Sequence, residues 1–191
     1  MTTITGTWLA MAAIGAGLIH VALGAGAPPV LAVPLIAIAV AEVAWGVLTV
    51  LKDRVFTPTS ALAGALAPVG LWVLVITAAS VGGAPELLSP LPFLAMGSAT
   101  LFDLFLAGVL AVQRRRAMRA ADPASPARNA YANSDAEANS GAAEPSVGRY
   151  LLGVLAGACV VSALTTPALA NTHAGQSAVP HGTLHGVHSD H

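Results

Sequence analysis

The chain has 191 residues, of which 9% are charged, 55% are apolar and 5% are aromatic. Eight basic residues stand against nine acidic ones, and the mean hydropathy is +0.75. A soluble domain carries about 25% charged residues, so an ordinary globular protein is excluded, and nothing basic enough to bind nucleic acid is present.

Crossing a bilayer takes about 20 consecutive apolar residues in an α-helix. Five runs qualify, at about 6–26, 30–51, 60–81, 91–113 and 150–170. The expected class is therefore an all-α integral membrane protein with about five transmembrane helices, and the lipid bilayer is its first partner. Ala, Gly, Val and Leu dominate these runs, the style in which membrane helices bring their backbones close. The first four runs read as two hairpins forming a core over 1–116. Pro34 and Pro68 fall inside the second and third runs, where each removes a backbone donor. Residues 117–148 are rich in Ala, Pro, Asn and Ser with scattered charge, and are expected to be a disordered cytoplasmic linker. The fifth helix, 149–170, reads as a tethered span with signal-peptide character, and 171–191 is a His-rich tail. Cys159 lies in the fifth span, and as the single cysteine it reads as a small apolar residue.

Orientation follows from the basic residues. Lys52 and Arg54 follow the second run, Arg114, Arg115, Arg116 and Arg119 follow the fourth, and Arg128 and Arg149 share the long loop. All eight fall on one side, which the positive-inside rule makes cytoplasmic. The N-terminus is then cytoplasmic and the C-terminal tail extracytoplasmic. The Ala, Gly and Val richness suits a high-GC bacterium, so a multi-pass protein of the bacterial inner membrane is expected.

Two groups of side chains carry chemistry. Within the spans are His20, Glu42 and Asp103. An acid at the centre of a membrane helix costs about 2.5–3.5 kcal/mol on insertion scales, so it normally faces a partner or a wet cavity. Counting about 1.5 Å per residue places both acids about 18 Å from the outer surface and His20 about 9 Å further out. Ala13, Gly17, His20 and Gly24 share one helical stripe, as do Met96, Thr100 and Asp103, and Trp45, Gly46 and Thr49 lie near Glu42 on its face. These groups serve either as hydrogen-bonding anchors between helices or as a path for protons or metal ions.

The second group is the tail, where His173, His181, His185, His188 and His191 fall together with Asp190. Imidazole suits zinc, copper, nickel and cobalt, a carboxylate can complete such a site, and a His-rich tract is a compositional sign of metal binding. Pro180, Gly182 and Gly186 disfavour a free helix, so a flexible tail wrapping an ion is expected. Ala168-Leu169-Ala170 after an apolar core also matches a secretory cleavage pattern. Cleavage there would expose Asn171-Thr172-His173, whose amine, backbone amides and imidazole offer the square-planar nitrogens that copper(II) and nickel(II) prefer. An apolar span followed by a short histidine tail resembles the small subunit proposed for bacterial cobalt transporters. That likeness covers 149–191 alone, and no site is carried over from it.

The function expected is binding of a divalent transition metal through the external tail, for metal homeostasis or transport, with copper or zinc foremost and nickel or cobalt as the other candidates. One alternative is a proton-coupled small-solute carrier using Glu42 and Asp103. Another is an accessory or structural subunit of a larger membrane complex, and a homo-oligomer would also suit so thin a bundle. An enzyme is not expected, because no nucleophile and base come together at one depth.

Overall fold

A computed structural model describes residues 3–52, 58–83, 85–121 and 147–177. The fold is all-helical: α1 (Thr3–Gly26), α2 (Pro29–Leu51), α3 (Pro58–Val81), a 3-10 turn (Pro85–Leu88), α4 (Phe93–Ala121), α5 (Val147–Ala170) and a single turn, α6 (His173–Gln176). The five long helices are apolar and long enough to cross a membrane. Large apolar side chains such as Val30, Val33, Val73, Leu74, Leu152 and Leu155 are more than half exposed on α2, α3 and α5. Water would make that belt costly, whereas lipid makes it the favoured surface. The protein is a polytopic membrane protein.

The helix ends follow local chemistry. Pro28 caps α2 in an extended conformation and Pro29 occupies its first turn, where a missing N–H costs nothing. After α3 the Gly82 N–H donates to the Ala78 carbonyl, and Gly83 at φ +64° turns the chain toward the 3-10 segment. α4 runs on through Arg114–Arg119 to Ala121, past the end of the apolar run at 113, because Ala, Met and Arg all favour helix once the chain has left the bilayer. The remainder of the expected linker, 122–146, lies outside the described residues, as does Arg54.

α1 is the most buried helix and the axis of the bundle. It packs antiparallel to α2 over most of its length and also touches α4, α5 and α6. Three glycines permit this. A Cβ on Gly17 would lie 2.6 Å from Val43 Cγ2 and 3.0 Å from the Ala39 carbonyl, and one on Gly46 would lie 2.9 Å from the Ala10 carbonyl. Gly24 faces Ile36 in the same way. Close backbone approach replaces the hydrophobic drive that helices lack in lipid.

α5 is attached by more than chain connectivity. It packs along α1 and α4. The Trp8 indole N–H donates to the Gly153 carbonyl at 3.0 Å, the same ring lies against Gly157, and Gly15 of α1 faces Val161 and Thr165. α2 and α3, by contrast, touch each other far less than either touches its hairpin partner.

Candidate metal centre

His20, Glu42 and Asp103 come from α1, α2 and α4 and meet in the interior. His20 and Asp103 are fully buried and Glu42 is 8% exposed. One ligand-type atom from each lies within 4.8 Å of the others. His20 Nδ1 is 2.8 Å from Glu42 Oε2, an ion pair when the ring is protonated and a hydrogen bond donated by the ring when it is neutral with its proton on Nδ1.

The meeting corrects the expected depths, which put His20 about 9 Å above the acids. In a helix each Cα–Cβ bond tilts toward the N-terminus. α1 runs antiparallel to α2 and α4, so His20 leans toward the end of the bundle where α1 begins, and Glu42 and Asp103 lean toward the opposite end. The side chains therefore close a gap that counting rises along the axis leaves open. The stripe reading survives: Ala13, Gly17, His20 and Gly24 are all buried. On α4, Met96 is buried in the core above Asp103 and Thr100 is half-buried. On α2, Gly46 and Thr49 share the buried face with Glu42, while Trp45 is half-buried.

The polar atoms of this cluster are under-satisfied. His20 Nε2, Glu42 Oε1 and both Asp103 carboxyl oxygens are buried without a hydrogen-bond partner among the described residues. Each buried polar atom left without a partner costs about 1–3 kcal/mol.

With the imidazole neutral and both carboxyls ionised, the set carries two negative charges, which one divalent cation or two protons neutralise. One nitrogen and carboxylate oxygens make a donor set suited to zinc, cobalt, nickel or copper. When Nδ1 holds the ring proton and donates it to Glu42, Nε2 offers its lone pair, an arrangement in which a carboxylate fixes the tautomer of a ligating histidine.

Of the tail residues, His173 is described and exposed. It opens α6, which Thr172 caps by accepting from the Gly175 N–H at 3.1 Å while donating to the Leu169 carbonyl at 2.7 Å. Thr172 is buried, and α6 packs over the end of α1, with His173 against Gly26. His173 borders a pocket of about 500 Å³ with Asn171, Gln176, Ser89 and Pro28. The chain beyond Ala170 is thus folded onto the end of the bundle where α1 finishes, as far as Ser177. His181, His185, His188, Asp190 and His191 lie outside the described residues. No family model, curated protein or solved structure matches the chain.

Proposed function

We propose that this membrane protein holds a divalent transition-metal ion between His20, Glu42 and Asp103, in the service of metal homeostasis or transport. The observation that carries the reading is the convergence of three ligand-type side chains from three helices, each retaining an unpartnered buried polar atom. Protons or water can meet part of that need. A divalent ion meets both the charge and the missing coordination at once. The external histidines then serve as a capture segment.

This reading moves the principal site from the tail to the membrane interior. Equilibrium titration of the purified full chain with cobalt, nickel, zinc and copper tests it, alongside a chain ending at residue 177 and the variants His20→Ala and Asp103→Asn. Loss of either triad ligand should weaken the tightest site by at least about 100-fold, since even residues that merely support a ligand are worth about 10–100-fold. Truncation should leave that site intact. Tight binding that vanishes with the tail and survives in both triad variants contradicts the reading.

A further inference from the structure

A slot of about 280 Å³ runs along the seam of α4 and α5. Its walls include Leu101 and Phe105 of α4 and Val160 and Leu164 of α5, and its floor is Trp8 and Met11 of α1. Leu101, Phe105 and Val160 are exposed, so the slot opens on the outside of the bundle, where lipid tails lie. The one nitrogen among its lining side chains, the Trp8 indole N–H, is already donated to the Gly153 carbonyl. Whatever fills the slot is therefore apolar at that point.

Basic residues stand in register with it. Arg116 follows Phe105 on α4, and Arg149 precedes Val160 on α5, each by about three helical turns, a spacing that returns a side chain to the same face. Arg119 follows Leu101 by about five turns and shares that face too. All three arginines are exposed, and they gather where α4 finishes and α5 begins. No acid follows Asp103 on α4 or occurs anywhere on α5. The three turns span about 16 Å, close to the thickness of one leaflet, half of a hydrocarbon core of about 30 Å. Gly108 and Ala156, exposed and small, leave the strip between slot and arginines open, and a Cβ on Gly108 would meet nothing within 4 Å. A second copy packed here about an axis along the bilayer normal would set its own arginines at the same level, like charge against like. We infer that the α4–α5 seam binds one anionic phospholipid, its headgroup held by Arg116, Arg119 and Arg149 and one acyl chain lying down the seam into the slot. Basic positions between membrane helices are suited to such headgroups. The ion-binding triad takes no part in this site.

Native mass spectrometry of the purified full chain in mild detergent, titrated with dioleoyl phosphatidylglycerol or dioleoyl phosphatidylcholine, counts the bound lipid. One phosphatidylglycerol should bind at a concentration at least about tenfold below that needed for phosphatidylcholine, since each arginine adds to the attraction for net negative charge. Arg116→Gln, Arg119→Gln and Arg149→Gln together should remove that preference. Val160→Phe fills the slot from an exposed position, and Leu101→Trp does so from the facing helix. Each should weaken phosphatidylglycerol binding at least about tenfold, the worth of about two buried methylenes, with thermal unfolding as in the wild type. Glycerol phosphate, which has no chain, should not displace the lipid. Equal affinity of the wild-type chain for both lipids overturns the inference, as does a preference that survives the triple replacement. Undiminished binding in a folded slot variant, or displacement by glycerol phosphate, overturns the seating of the acyl chain.

Discussion

His20 sits at the point where local geometry becomes chemistry. It is fully buried, lies 2.8 Å from Glu42 and meets Asp103 with ligand-type atoms within 4.8 Å of one another. An ion that binds only the folded chain stabilises it by about 2.7 kcal/mol at a concentration 100 times its dissociation constant. Zinc or cobalt should therefore raise the unfolding temperature of the intact protein in mild detergent, and the increment should disappear in Asp103→Asn. An equal increment in that variant would place the stabilising ion elsewhere. The same ligands must be deprotonated to bind, so the increment should also shrink as pH falls. The participants in this cluster were legible in the sequence, because three ionisable groups stand out in otherwise apolar runs. Their convergence was not. It depends on side-chain tilt having opposite senses in antiparallel helices, which axial counting does not register.

Among the elements, the α1–α2 pair sets the distance between His20 and Glu42. Gly46 and Gly17 lie at the closest approach, where even a methyl group meets backbone oxygen at about van der Waals limits or less. Gly46→Val should destabilise the protein by about 1–3 kcal/mol, the usual cost of overpacking, and should weaken ion binding by separating the two ligands. Gly64→Ala, on an open face of α3, should change stability by less than about 0.5 kcal/mol. Thermal unfolding and ion titration of the two variants check the contrast, and comparable losses in both would remove the special role of the α1–α2 seam. The small-residue stripe through Gly17 and Gly24 pointed to this seam in advance. Gly46 was recognisable as a neighbour of Glu42, but its partner Ala10 was not, since no spacing within α1 encodes which helix will lie against it.

At the scale of the molecule, five apolar helices form one bundle in which α5 lies against α1 and α4. The spans were readable from apolar run length alone, because lipid imposes that length directly. The docking of α5 was not, since the Trp8–Gly153 hydrogen bond and the Trp8–Gly157 contact join positions about 145 residues apart without any periodic signal. If the segment between 121 and 147 is cut at an inserted protease site, the two fragments should co-elute in mild detergent, and Trp8→Ala should weaken their association. Separation of the two fragments once the chain is cut would show that the chain link alone holds α5. The most direct test of the metal centre is the X-ray absorption spectrum of the full chain loaded with one equivalent of zinc. An ion held by His20, Glu42 and Asp103 gives a coordination sphere of one imidazole nitrogen and several oxygens, unchanged when residues 178–191 are removed and lost in Asp103→Asn. A sphere of several imidazoles that collapses on removing those residues would contradict an intramembrane site and return the ion to the tail.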